Sequence, residues 1–155
     1  MRPKSSILAW SLALATLGAI GSAPALLQTT MSTPARAAEM ETHTFRQGEK
    51  PVRGSVTVRR DGNRTLLVFS GDFRTSESAP DLKVAVSPSS TPLAGSKPPA
   101  YPLKAGTYMV LSPLKSASGA QTYVVPASVD LSRQGSVLIW CEQFNATMAW
   151  APLHG

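Results

Sequence analysis

Few side chains in this 155-residue sequence are equipped for redox, metal or nucleophilic chemistry. Cys141 is the single cysteine, which excludes an internal disulfide and any multi-cysteine zinc or iron–sulfur site. A lone thiol can exchange electrons or thiols with another molecule, or ligate a cofactor through sulfur. The two histidines stand apart from it in sequence, His43 in a polar lead and His154 at the C terminus, positions where side chains are ordinarily solvated. A Ser–His–acid or Cys–His arrangement would have to recruit one of them, and no serine sits in a nucleophile motif. Asp72 and Asp81 flank the segment from Phe73 to Pro80 and could stand close in space. An aspartate beside proline, as Asp81 is, more often caps a turn or opens a strand than acts as acid, base or metal ligand.

The elements that must position these residues begin after a targeting segment. Arg2 and Lys4 precede an apolar stretch from Ile7 to Ile20, and Ala35-Arg36-Ala37 follows as an A-x-A cleavage pattern. Residues 1–37 are therefore expected to be a cleaved signal peptide, the product being exported to the periplasm or the outside of the cell with no stable membrane insertion. The alternative is retention of the same stretch as an anchor. Cleavage removes three of the 15 basic residues, Arg2, Lys4 and Arg36, leaving 12 against nine acidic ones. The formal charge falls from +6 to about +3, and no basic stripe interleaved with aromatics remains, so nucleic acid is not an expected partner.

After a polar lead over residues 38–46, the domain is expected over residues 47–155 and is read as all-β. Val52, Val56 and Val58 share one parity and Arg53, Ser55, Thr57 and Arg59 the other, the period of a half-buried strand. Asp61-Gly62-Asn63 turns the chain, and Thr65 to Phe69 returns as the second strand of a hairpin. Leu82 to Ser87, Tyr108 to Leu111, Gln121 to Val125, Val137 to Phe144 and Ala146 to Trp150 bring the count to about seven short strands. A Pro-rich stretch from Pro88 to Pro102 reads as a long loop. Such a series predicts an antiparallel β-sandwich or flattened barrel. On this reading Cys141 shares its strand face with Val137 and Ile139, and Met148 lies on the parity of Ala146 and Trp150 as part of a core stripe. Asn63-Arg64-Thr65 and Asn145-Ala146-Thr147 match the glycosylation acceptor pattern and are read as turn and strand residues.

Gly119 to Val125 followed by Pro126, then Asp130, then Ser136-Val137-Leu138-Ile139-Trp140-Cys141 resemble the C-terminal half of the electron-transfer DM-thirteen domain family, with Tyr123 and Trp140 among the supporting residues and the order and spacing of the elements, rather than any one of them, carrying the likeness. Asp72-Phe73 and Pro80-Asp81-Leu82-Lys83-Val84 resemble its upstream elements, with Ala79 where that family usually has glycine and Met148-Ala149 where it has Phe-Gly. The resemblance runs from about Gln47 to Leu153. It implies a β-sandwich module with a redox role, its cysteine acting as a bare redox thiol or a haem ligand, and it carries that role to Cys141 alone. The implied partner is a redox protein or a membrane cytochrome of b type.

The residues themselves leave two readings open. In the first, Cys141 is the redox group of an exported electron-transfer module. In the second, the protein is a non-catalytic extracytoplasmic binding or adhesion module using its Pro-rich loop, with Cys141 as a core residue. Burial favours the second, because a thiol in apolar surroundings behaves as a small inert hydrophobe. Nothing adjacent in sequence supplies a cation, and Glu142 adds a negative charge. Export tilts back toward a task, since an oxidising compartment disfavours idle thiols. No cofactor is fixed by the sequence: the covalent haem motif C-x-x-C-H is missing, and the residues suited to axial ligation are Cys141, Met148, Met109, His43 and His154.

Overall fold

The computed structural model describes residues 40–154. The expected signal peptide, residues 1–37, lies outside the described residues. Nine strands follow in order: β1 (Glu41–Thr44), β2 (Arg46–Gln47), β3 (Ser55–Asp61), β4 (Arg64–Phe69), β5 (Leu82–Ser87), β6 (Met109–Pro113), β7 (Gln121–Val125), β8 (Ser136–Cys141) and β9 (Ala146–Pro152). They form two antiparallel sheets, β1-β3-β4-β7 and β2-β9-β8-β5-β6, so of the two expected architectures the sandwich is the one adopted. The chain has no α-helix among the described residues, only a 3-10 turn at Leu131–Arg133.

The β3–β4 hairpin follows from its turn chemistry. Gly62 takes φ +58, where a side chain is strained, and Asp61 stands opposite Arg64 with their side chains paired. One strand lies in the stretch expected as a polar lead and a second straddles its end: β1 pairs with β3, and β2 pairs with β9. Between them Phe45 turns inward as the chain passes from one sheet to the other. Its ring meets Phe69 edge-on at 5.1 Å and Phe73 at 5.2 Å, and Phe69 in turn meets Tyr123 at 5.2 Å. Aromatic pairs of this kind add about 0.5–1.5 kcal/mol each beyond the area they bury.

Every residue of β8 is buried. Val137, Ile139 and Cys141 face the interior between the sheets, as parity predicts. Leu138 and Trp140 face outward but meet a second apolar layer, in which Leu93, Leu103 and Tyr108 of the long β5–β6 connection cover Ala85, Trp140 and Trp150. The Pro-rich loop is thus a lid on the outer face of the five-stranded sheet. A strand covered on both sides reads as a continuous apolar run rather than as an alternation, which is what Val137 to Cys141 shows.

Two expectations are corrected. The strand expected to reach Phe144 stops at Cys141, because the chain turns through Glu142 to Asn145, the last with φ +46. Phe144 therefore leaves the core and is 65% exposed. The β8–β9 register also shifts between Ile139 and Trp140: Ile139 pairs with Ala149, but Trp140 pairs with Thr147. Met148 is the extra residue of this bulge, which resets the parity of β9. Ala146 and Met148 face the inner core, whereas Trp150 belongs to the outer layer.

Candidate functional site

Cys141 is the last residue of β8, paired with Leu82 of β5 on one side and Ala146 of β9 on the other. None of its surface is exposed. Its thiol donates to the carbonyl oxygen of Pro80 at 2.9 Å. The residue nevertheless lines a recess of about 290 Å³, together with Lys50, Ala79, Pro80, Phe144 and Met148. The bulge shapes one wall. The carbonyls of Thr147 and Met148 accept hydrogen bonds from the backbone N–H groups of Glu49 (2.8 Å) and Gly48 (3.0 Å). That approach demands glycine, since a Cβ at residue 48 would lie 2.3 Å from the Thr147 oxygen. It is this contact that brings Lys50 to the rim.

A second lysine, Lys83, stands one residue along the β5–β8 ladder, opposite Trp140. Asp81, with φ +51, immediately precedes β5, and its carbonyl accepts from the Glu142 N–H at 3.2 Å. Two carboxylates thereby face one another at the ends of paired strands, an arrangement that repels. Lys83 relieves it, placing Nζ 2.6 Å from Asp81 Oδ1 and 3.2 Å from Glu142 Oε2. Those two carboxylates, Asp81 first, hold the Lys83 ammonium above the ordinary lysine range. Sequence adjacency offers Cys141 no cation; the Gly48 contact brings Lys50 to the recess, paired there with Glu49 at 3.2 Å, while Lys83 stands opposite Trp140 and is engaged by Asp81 and Glu142. Lys83 was reachable from period 2, which puts residues 81 and 83 on one face, but only the strand pairing brings in Glu142.

The other residues singled out by sequence have separate places. Asp72 lies in the turn before Phe73 and lines a different recess, with Arg53, Arg74 and Ser118, so it is not brought together with Asp81. Trp140 adjoins Cys141 but faces the opposite layer, stacked on Tyr108 at 4.7 Å. Its indole N–H donates to Asn145 Oδ1 at 3.0 Å. The same amide takes the Leu103 N–H at 2.9 Å and gives its own N–H to the Leu103 carbonyl at 3.0 Å, fastening the lid to the β8–β9 turn. The sequence marks Asn145 only as a turn residue, and nothing local announces this clamp. Tyr123 is buried in β7, where its hydroxyl accepts from the Lys115 N–H at 3.0 Å and donates to Gln121 Oε1. Burial pushes its phenol above the ordinary range, against the lowering effect of the Lys115 N–H.

The ligand set named for haem does not fit one. Cys141 and Met148 line the same recess from neighbouring paired strands, so they cannot take opposite faces of a macrocycle. At about 290 Å³ that recess is also at the bottom of the range for small-molecule sites, about 300–1,000 Å³. Met109 is half exposed on the edge strand β6, His43 lies in the other sheet near Glu41, and His154 is exposed.

An antiparallel β-sandwich with one thiol, sealed at the end of its central strand beside a small recess, is a module whose redox chemistry must pass through that thiol or through none of its own cysteines. The chain belongs to the family described as Electron transfer DM13, whose model matches residues 44–153. It is an electron-transfer domain at the level of that family. No curated protein and no solved structure matches the chain.

Proposed function

We propose that this is an exported electron-transfer module in which Cys141 is the redox group, exchanging electrons with a partner redox protein or a membrane cytochrome. The observation that carries the reading is the position of the thiol. It ends the central strand of the sandwich and borders a recess with an exposed aromatic, Phe144, and a lysine, Lys50, on its rim. Export rests on the basic, apolar and A-x-A features of residues 1–37.

In the described state the Pro80 carbonyl occupies the thiol proton and no sulfur surface is open, so exchange requires local movement. Segments outside the ladder move most readily, having the fewest backbone hydrogen bonds to break. The competing reading as a binding module needs a free Pro-rich loop, and Leu93, Leu103 and Tyr108 of that connection are engaged on the sheet. Labelling of the native protein with a thiol reagent tests the proposal. Modification of Cys141 under conditions where the fold persists is expected, while a thiol that labels only after denaturation would sink it. The purified protein is expected to show no Soret band; a stoichiometric band lost in Cys141→Ser would restore the haem reading.

A further inference from the structure

We propose that Lys83 is a positioning residue for Cys141: by tying Asp81 to Glu142 it holds the Pro80 carbonyl against the thiol and latches the recess shut. The inference deepens the reading of Cys141 as the redox group, since it concerns access to that thiol, but its test reads access alone.

Regular structure encloses the sulfur on every side but one. On two sides Cys141 is flanked by its ladder partners, Leu82 and Ala146, whose strands are held by regular pairing. Inward lies the apolar core. What remains is the connection through Ser78, Ala79 and Pro80, which lines the recess and lies outside the strands. Its last joint before β5 is Asp81. That residue holds φ +51, a conformation aspartate tolerates better than most residues but which the surroundings must maintain. Two contacts maintain it: the Glu142 N–H on its carbonyl at 3.2 Å and Lys83 on its carboxylate at 2.6 Å.

Lys83 is suited to act as the fixed post. It sits inside β5, opposite Trp140 of β8, and its side chain is only 17% exposed. The carboxylates it joins are the more exposed parts, 43% and 51%. A lysine ammonium is charged throughout the neutral range at its ordinary value of 10.5, and both carboxylates reinforce that state. If the latch opens, Asp81 is free to leave the left-handed region, the Pro80 carbonyl swings off the sulfur, and the recess widens toward Phe144. Because the carboxylates are half in solvent, added salt should weaken the latch by screening.

The test is the rate at which 4,4′-dithiodipyridine modifies Cys141 in the native full-length protein at neutral pH. Lys83→Met is expected to react roughly three- to tenfold faster than wild type, the range set by the loss of two ion pairs of this exposure, at an unfolding midpoint that does not account for the change. Lys83→Arg, which keeps the charge, is expected to stay near the wild-type rate. Raising salt to about 1 M should speed wild type and leave Lys83→Met unmoved. Should Lys83→Met fail to fold, Glu142→Gln, altered on an exposed turn, is expected to give a smaller acceleration in the same direction. A wild-type rate in Lys83→Met or, failing that variant, in Glu142→Gln would overturn the proposal. So would an acceleration no larger than the loss of global stability predicts, or an arginine variant as fast as the methionine one. The latch result stands even if Cys141 proves redox-silent, and an electron-active Cys141 with Lys83-independent labelling would sink the latch alone.

Discussion

The two faces of β8 end in adjacent residues with opposite treatment. Trp140 points outward, yet its ring is stacked on Tyr108, its N–H is answered by Asn145, and the amide of Asn145 is itself saturated by the Leu103 backbone. Cys141 points inward, yet its thiol is answered by a carbonyl of the irregular connection that ends at Asp81. The outer face is thus closed by packing and neutral hydrogen bonds between segments that fasten one another. The inner face is closed at its last residue by a turn held with charges that water can reach. One strand therefore carries two differently fastened ends, and the proposed redox role of Cys141 falls at the one fastened by solvent-exposed charges.

Removing the outer anchor should have the largest effect. Trp140→Ala is expected to cost about 3–5 kcal/mol in chemical denaturation, the range for truncating a buried large aromatic; an unchanged midpoint would mean the lid over Leu138 and Trp150 contributes nothing. Asn145→Ala leaves the indole N–H and both Leu103 backbone groups without partners, and about 1–3 kcal/mol is expected from the unpaired groups. If Asn145→Ala is as stable as wild type, the contrast between the two faces is wrong at its best-connected residue.

Tyr123 offers a smaller probe, in the sheet that carries neither end. Tyr123→Phe leaves the Lys115 N–H and Gln121 Oε1 short of a partner, for about 1 kcal/mol. Burial raises the phenol above its ordinary value of 10.0, so the folded state disfavours the phenolate. Stability from this group is complete below about pH 10 and declines as pH rises toward the raised value. Lys83 has the same sign by the opposite chemistry: its raised value means that stability present below 10.5 is lost at higher pH. An alkaline unfolding limb is expected, shallower in Tyr123→Phe, and a limb identical in the variant would remove Tyr123 as a source. The smallest effect is expected at Asp130, whose exposed carboxylate accepts from the Ser132 N–H and hydroxyl and is held below the usual range. Its contribution is present above about pH 3.8 and fades as pH falls, so Asp130→Asn should differ slightly from wild type at neutral pH and converge with it in acid.

Much of this contrast was legible in sequence. The parity of Val137, Ile139 and Cys141 places the thiol inside, and Asp61-Gly62-Asn63 between two apolar runs announces the β3–β4 hairpin. What was not legible depends on distant pairing. β1 and β2 are short and polar, with four and two residues and no buried position, and they are strands because β3 and β9 offer edges. The bulge at Met148 reverses the parity of β9 without any local Gly or Pro to mark it. Lys83 and Glu142 are nearly sixty residues apart in the chain, and Asn145 with Leu103 about forty, so neither the latch nor the clamp has a motif. Side chains that answer each other across strands are invisible until the sheet order is known.

The central claim is that Cys141 is the group that takes and gives electrons. A mediated redox titration of the purified protein, wild type beside Cys141→Ser with both folds checked by thermal unfolding, tests it most directly. Starting from protein oxidised with glutathione disulfide, which leaves Cys141 as a mixed disulfide, the wild type is predicted to take up two electrons and two protons as the Cys141 thiol and free glutathione are restored, and the folded serine variant none. Equal uptake by the two would contradict it.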